Sequence, residues 1–374
     1  MKKITFFATI ILFFSPFQAQ AYNIGPADVH LDASVGEGYD SNVTYLKDNP
    51  ISDFHTDFGL GLTAELEGKK RDLKLGVRYL REQYFNRNNL SGNTYNFDLD
   101  FLQEITRFSR INIKERYLNS EDPDSFADQF GGMQNMRSKY QKNDFDIAYT
   151  KDFGPHFSMT ANYFNQLYLP SRSDQESSDL NLVGIEGDIY VSPKTMLLGL
   201  VQYAQRDFEH GDTIRTNRFA AGFKQYLYYQ MYLDCRFGMD FTGISHGDDS
   251  NGQFISASLV NDIDERTKFL LTYLDEDSST YYRQSIFESQ RVSLELRHQI
   301  FRRLDGTLAL FYGKGKYVST GVDEKFQGAS INLTYGVSTN TSLDLMYSFS
   351  DSNSSDDSDS YLKNSCSIGL RYHY

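Results

Sequence analysis

Residues 367–374 read Ser-Ile-Gly-Leu-Arg-Tyr-His-Tyr, in which apolar side chains alternate with polar or small ones. A period of two places successive side chains on opposite faces of an extended chain. The segment therefore predicts a β-strand with one apolar face and one polar face.

The same alternation recurs along the chain from about Val29 onward. In one strand Leu73, Leu75 and Val77 alternate with Lys74 and Arg78. Counting such units gives about 18 strands, an even number, as single-chain bacterial barrels require. A single soluble sandwich rarely has so many strands. We therefore predict an all-β fold, a closed antiparallel transmembrane β-barrel of about 18 strands.

The predicted connections alternate between short turns and long polar loops. Short turns are predicted near 67–71, 107–109, 152–155, 192–194, 262–265 and 337–339. Long polar segments are predicted near 40–53, 119–139, 170–178, 243–251, 275–280, 314–324 and 351–360. This alternation is typical of outer-membrane barrels, which have short periplasmic turns and longer extracellular loops.

The final strand also resembles the terminal assembly signal of bacterial outer-membrane barrels. The residues that carry this resemblance are Ser367, Gly369, Tyr372 and Tyr374. The resemblance implies a location in the bacterial outer membrane and recognition by the barrel assembly machinery. An amphipathic edge strand without that role is the alternative interpretation.

The N-terminal residues have the three parts of a secretory signal peptide. Lys2 and Lys3 precede a short apolar run, residues 4–14, and residues 19–21 form an Ala-Gln-Ala site. The apolar run is too short for a transmembrane helix. We expect a signal peptide at residues 1–21 and the outer-membrane β-barrel at residues 22–374.

The composition is acidic and rich in aromatic residues. A formal net charge of −13 argues against nucleic acid as a partner, because nucleic acid requires clustered Lys and Arg. The 27 Tyr and 29 Phe are consistent with interfacial girdles that contact outer-membrane lipids and lipopolysaccharide.

The polar faces of the predicted strands carry charges of both signs. We predict that the following residues line the lumen: Arg78, Asp98, Asp100, Lys114, Arg116, Asp144, Asp146, Glu186, Asp188, Asp234, Arg236, Glu295, Arg297 and Arg371. Opposite charges on neighbouring strands pair across the ladder. Such pairs either stiffen the wall, which we favour, or create a field that selects polar solutes.

Several aromatic residues are also predicted on the inner face. They are Phe164, Tyr168, Tyr190, Tyr226 and Tyr232, and aromatic faces of this kind can stack on sugar rings. The strand directions place Tyr190, Tyr226 and Tyr232 at the periplasmic end and Tyr168 near the outer end. We therefore expect no continuous ladder, and girdle or wall-packing roles are the favoured alternative.

Enzymatic activity is not predicted. Segments 245–249 and 210–212 contain Ser, His and Asp, but catalytic triads are recognised by geometry and not by nearness in sequence. We find no cofactor fingerprint and no metal-ligand spacing, so neither a cofactor nor a metal site is predicted.

Residues 39–43, Tyr-Asp-Ser-Asn-Val, end the first predicted strand. This stretch resembles the outer-membrane β-barrel porin family associated with exopolysaccharide loci. The resemblance implies an outer-membrane pore for secreted polysaccharide or its oligomers, with periplasmic polysaccharide-export proteins as partners. Two alternatives remain open: a general diffusion porin for small polar solutes, and a structural or adhesive outer-membrane protein.

Overall fold

The computed structural model describes residues 22–24, 27–131, 137–172, 175–247, 249–264, 266–281 and 283–374. The predicted signal peptide, residues 1–21, lies outside these ranges. Among the described residues no helix has the length and hydropathy needed to cross a bilayer.

Nineteen antiparallel strands run through the described residues. They are β1 (Tyr22–Ile24), β2 (Ala27–Asp40), β3 (Asp53–Glu67), β4 (Arg71–Tyr84), β5 (Gly92–Thr106), β6 (Ser109–Ser120), β7 (Tyr140–Asp152), β8 (Phe157–Pro170), β9 (Ser178–Ser192), β10 (Thr195–Phe208), β11 (Thr213–Tyr228), β12 (Met231–Ile244), β13 (Ser250–Asp264), β14 (Thr267–Thr280), β15 (Ser285–Phe301), β16 (Leu304–Tyr317), β17 (Asp323–Gly336), β18 (Thr341–Ser354) and β19 (Tyr361–His373). One short helix, α1 (Phe126–Gln129), and two 3-10 turns, Asn88–Leu90 and Asp357–Asp359, lie in the loops.

The sheet closes on itself between β19 and β2. Their register runs from Ser365 opposite Asp40 to His373 opposite Asp32. Each of the strands β2 to β19 pairs with its neighbours in sequence, so the predicted closed 18-strand antiparallel barrel is confirmed. The short strand β1 pairs with the start of β2, beyond the end of β19. A bilayer does not tolerate a long unpaired strand edge, and closure leaves none among the described strands β2 to β19.

The outer face exposes large apolar side chains in every part of the barrel wall. Leu60, Val77 and Ile368, for example, are 57%, 54% and 50% exposed. Apolar exposure on this scale indicates a surface covered by something other than water. Hydrocarbon chains of the outer membrane provide that cover.

One predicted loop is strand in the structure. Residues 275–280 were expected in a long polar loop, but they continue β14, where Asp275 to Thr280 pair with Gln290 to Ser285 of β15. Beyond the membrane surface, side chains on both faces of a strand can be polar. The alternation in hydropathy along β14 therefore ends before its backbone hydrogen bonding to β15 does. The true connection is the short segment 281–284.

Candidate functional site: the barrel lumen

Strands β5, β6 and β7 carry two cross-strand rows of charge, Asp98–Arg116–Asp144 and Asp100–Lys114–Asp146. Arg116 Nε lies 3.7 Å from Asp98 Oδ1, and Lys114 Nζ lies 3.7 Å from Asp100 Oδ2. Because these side chains are about half exposed, each pair contributes at most about 1 kcal/mol. The pairing leaves the charges accessible to solutes in the lumen.

These two rows border a cavity of about 440 Å³ inside the barrel. Asp32, Lys74, Arg78 and Phe164 complete much of its wall. Within the described ranges Arg78 makes no ion pair, so its guanidinium group is available to a solute. The cavity therefore offers both signs of charge and one aromatic face.

A second group of the predicted lumen residues forms an arch over two strands. Arg236 of β12 reaches Glu186 of β9, with Nη1 2.8 Å from Oε2, and its Nε lies 3.3 Å from Asp234 Oδ1. The strands between them present Leu198 and Leu200 inward, and both are buried. The arch thus covers a part of the inner wall that is apolar.

Of the other predicted lumen charges, Asp188 lies beside the arch, two residues from Glu186 on β9, and Glu295, Arg297 and Arg371 lie on other strands. Asp188 accepts a hydrogen bond from Ser158, at 3.3 Å. Glu295 and Arg297 pair along β15, and Arg371 Nη2 lies 3.2 Å from Asp344 Oδ2. These contacts lie between residues of one strand or of adjacent strands, so the charges form no single ladder around the lumen.

Four of the five predicted inward aromatic residues lie in two places. Phe164 lines the cavity, while Tyr190, Tyr226 and Tyr232 lie at the periplasmic end. The Tyr226 and Tyr232 rings are 5.5 Å apart. Lys224 Nζ lies 4.0 Å from the Tyr232 ring centre.

Tyr168 presents no stacking face to the lumen and instead packs within the barrel, in agreement with the favoured alternative for these aromatic residues. Its ring is stacked on Tyr281 at 4.1 Å, and the residue is only 2% exposed. Tyr281 belongs to the β14–β15 connection, so a distant segment of the chain occupies the face that alternation left open. Alternation places a side chain on a face but does not predict what folds over it.

The first described part of the connection from β6 to β7, residues 121–131, crosses the lumen. We call residues 121–131 the constriction loop; it contains α1, whose first turn is capped by Ser125 Oγ accepting a hydrogen bond from Asp128 N at 3.2 Å. In an 18-strand ring β16 lies eight strands from β6 in one direction and ten in the other. Phe130 nevertheless packs on Phe311 of β16, with ring centres 5.7 Å apart. The constriction loop therefore spans the pore.

Glycines on the opposite wall make room for the rings of the constriction loop. A Cβ atom at Gly313 would lie 2.7 Å from the Phe130 ring, and one at Gly328 would lie 2.9 Å from the Phe126 ring. Glycine in a strand interior often marks such a close approach. The sequence contains a signal for this contact that hydropathy alone does not reveal: the inward positions along β16 are aromatic or glycine, namely Phe311, Gly313, Gly315 and Tyr317.

Polar contacts hold the constriction loop from several sides. Thr280 Oγ1 donates to the Gly131 carbonyl oxygen at 2.6 Å, and the Tyr361 hydroxyl donates to Gln129 Oε1 at 2.9 Å. On the charged wall Arg116 Nη1 lies 2.8 Å from Asp124 Oδ2. The loop is thus tied to both walls of the barrel.

The β14–β15 connection adds a second cover near the extracellular end. Arg283 has a φ of +60°, a backbone conformation that costs energy for a residue with a side chain. Its guanidinium group contacts Asp356 and Asp359 of the β18–β19 loop. Hydrogen bonds from Arg283 and Ser358 lower the pKa of Asp356. The covering segments are therefore latched to one another by charge.

The segments considered for catalysis meet in space but not as a triad. Ser245 Oγ and His246 Nδ1 each lie 2.9 Å from the same oxygen, Asp212 Oδ1. A serine nucleophile requires the histidine as its base, with the carboxylate behind the imidazole. Here the carboxylate lies between the two side chains, so the geometry favours a surface hydrogen-bond cluster.

Comparisons with known proteins agree with the fold. Residues 248–374 match the family model described as "Putative beta-barrel porin 2". A BenF-like porin from Pseudomonas fluorescens Pf-5 is 11% identical, with 93% of this chain and 99% of that chain covered and a TM-score of 0.50. OpdK from Pseudomonas aeruginosa is 12% identical, with 93% and 99% covered and a TM-score of 0.47. OccAB4 from Acinetobacter baumannii is 10% identical, with 96% and 100% covered and a TM-score of 0.48.

No curated protein matches the sequence. The predicted resemblance to outer-membrane β-barrel porins is confirmed by the family match and by the fold. The barrel fold, together with the match of residues 248–374 to a family described as a porin, favours a channel over an enzyme. The protein is a porin-like β-barrel of the bacterial outer membrane, with the architecture of a pore.

Proposed function

We propose that the barrel is a constricted diffusion pore for small polar and charged solutes. The observation that carries this proposal is the constriction loop, whose Phe130 is 3% exposed and packs against the far wall. A polymer could pass only if this packed segment left the lumen. A solute small enough for the remaining space needs no such rearrangement.

The size and lining of the cavity support the same proposal. Its volume of about 440 Å³ is within the range of small-molecule sites. The rows of charge on β5–β7 and the guanidinium group of Arg78 favour solutes that carry charge or several hydrogen-bonding groups. In this proposal the charge rows act on solutes in addition to stiffening the wall.

Passage of secreted polysaccharide or its oligomers is the second candidate. The aromatic pair Tyr226 and Tyr232 at the periplasmic mouth favours it, because aromatic rings can stack on sugar rings as they enter. This candidate requires the constriction loop to move. It also requires periplasmic export proteins that deliver the polymer and that displace the loop.

Reconstitution into planar bilayers and liposomes tests these proposals. We expect discrete conductance steps from purified protein, swelling of liposomes with monosaccharides and amino acids, and exclusion of trisaccharides. An absence of conductance steps would contradict both transport proposals and favour a structural or adhesive role. Entry of a trisaccharide at the monosaccharide rate would contradict the constricted pore and favour the polysaccharide conduit.

A further inference from the structure

A histidine and two carboxylates meet at the extracellular half of the inner wall, outside the cavity described above. His55 and Asp57 lie two residues apart on β3, and Glu82 is the direct cross-strand partner of Asp57 on β4. His55 Nδ1 lies 2.9 Å from Asp57 Oδ1 and 3.6 Å from Glu82 Oε1. One ligand atom from each residue lies within 4.8 Å of the other two.

The surrounding residues fix the imidazole of His55. Its cross-strand neighbour on β2 is Gly38, where a Cβ atom would lie 2.3 Å from His55 Nε2. On the other side, Tyr84 of β4 packs its ring against the imidazole of His55, with ring centres 5.4 Å apart. The His55 side chain is 9% exposed, so its position is set by packing and not by solvent.

The two oxygens of Glu82 have separate surroundings. Oε2 accepts a hydrogen bond from Arg137, whereas Oε1 is the oxygen that faces His55. A carboxylate that binds a metal through one oxygen is commonly held by a hydrogen bond to the other. Glu82 therefore has the arrangement of a metal ligand with its outer partner already in place.

The charge around this cluster is strongly negative. Arg137 contacts three carboxylates, Glu82, Glu121 and Asp122. Asp57, which Arg137 does not contact, brings the number of carboxylates in the cluster to four. In addition, Asp122 Oδ1 is buried and has no hydrogen-bond partner among the residues that the structure describes. A second cation would offset the excess charge.

We propose that His55, Asp57 and Glu82 bind a divalent transition-metal ion, with Zn²⁺ as the best match. Zn²⁺ takes imidazole nitrogen and carboxylate oxygen at about 2.0–2.2 Å, which separates neighbouring ligands in a tetrahedron by about 3.3–3.6 Å. The separation of 3.6 Å between His55 and Glu82 lies at the upper end of that range, and the 2.9 Å between His55 and Asp57 would have to widen by about 0.4 Å as the ion replaces their hydrogen bond. Asp57 is 26% exposed, and a water molecule from the lumen would supply the fourth ligand.

Two other histidine–carboxylate pairs in the chain provide matched controls. His246 lies 2.9 Å from Asp212, and His373 lies 2.7 Å from Asp32. Each has the same imidazole–carboxylate contact, and neither belongs to a three-ligand group among the described residues. Substitutions at these pairs distinguish binding at a three-ligand site from the general affinity of a surface histidine for Zn²⁺.

Titration calorimetry with Zn²⁺ on the detergent-solubilised barrel, after treatment with a chelator, tests the proposal. We expect one tight Zn²⁺ per chain, no competition from Mg²⁺, and a loss of affinity beyond about 100-fold in His55→Gln, more than the loss of an outer partner causes. His246→Gln should keep the wild-type affinity. Equal affinity in wild type and His55→Gln would overturn the proposal, as would equal losses in His55→Gln and His246→Gln.

A second variant tests the ligand set even if the His55→Gln barrel does not fold. Asp57→Asn keeps the shape of the side chain and removes one charged ligand. Its retention of the folded barrel is checked by the mobility shift between unheated and heated samples on denaturing gels. A folded Asp57→Asn barrel that binds Zn²⁺ as tightly as the wild type would contradict the proposed ligand set.

Discussion

Two opposite walls of this barrel face the same lumen with different chemistry. The wall of β5–β7 presents rows of half-exposed charge, whereas the wall of β15–β17 presents Phe287, Phe311 and Phe326, all buried. Both walls are built on the same alternation of inward and outward side chains. The difference is that the constriction loop covers one wall and leaves most of the other to solvent. The inner face is therefore aromatic where the constriction loop covers it and charged where it faces solvent.

The largest effect is expected from displacing the constriction loop from the aromatic wall. Truncating a buried Phe costs about 3–5 kcal/mol, enough to shift a two-state equilibrium more than a hundredfold. We expect the double variant Phe126→Ala, Phe130→Ala to raise single-channel conductance severalfold and to admit trisaccharides into liposomes. Phe58→Ala, on the lipid-facing surface, is the control and should leave both measurements unchanged. Unchanged conductance in the double variant would mean that this loop does not limit the pore.

A smaller effect is expected from filling the space beneath the loop. Gly313→Val places a side chain where a Cβ atom would already lie 2.7 Å from the Phe130 ring. Overpacking of this kind costs about 1–3 kcal/mol, so the loop should be displaced in part of the population. Single-channel recordings should show added openings of larger conductance.

Gly199→Val is the matched control for this substitution, because a Cβ atom there meets no atom within 4 Å. If both valine variants change the recordings equally, the effect belongs to glycine replacement in general and not to the contact with Phe130.

The charged wall can be tested by neutralising it. The rows on β5–β7 contain four Asp against Lys114 and Arg116, an excess of two negative charges. Asp98→Asn combined with Asp100→Asn removes that excess, so cation selectivity should fall, measured as a shift of reversal potential in a KCl gradient. Asp48→Asn, on an exposed loop, should cause no shift. An unchanged reversal potential in the double variant would leave stiffening of the wall as the only role of these rows.

The smallest expected effect concerns the latch between the covering segments. Hydrogen bonds from Arg283 and Ser358 lower the pKa of Asp356, so the ionised form is favoured in the folded protein. That stabilisation is present above the unfolded pKa of about 3.9 and is lost as the pH falls through the lower folded value. Asp356→Asn should therefore increase channel flicker at pH 7, and its difference from the wild type should shrink as the pH falls below about 3.9. A difference that does not shrink as the pH is lowered would contradict this role.

The sequence predicted the wall of the barrel well where solvent or lipid covers it. The period of two placed Asp98, Lys114 and Asp146 on one face, and the structure puts all three around the cavity. It did not identify Tyr281, from a segment more than one hundred residues away, as the residue that covers the inward face of Tyr168. Alternation reports the direction of a side chain relative to its own strand, and it carries no information about contacts across the lumen.

The sequence by itself predicted about 18 strands, their antiparallel order and the division into a lipid face and an inner face. These features depend on local hydropathy and on short turns, which neighbouring residues specify. The register between the adjacent strands β3 and β4 brings His55 to Glu82. Only the tertiary structure decided which loop crosses the pore and what it packs against. Ring closure fixes these contacts, because it sets the distance between walls whose residues are far apart in the chain.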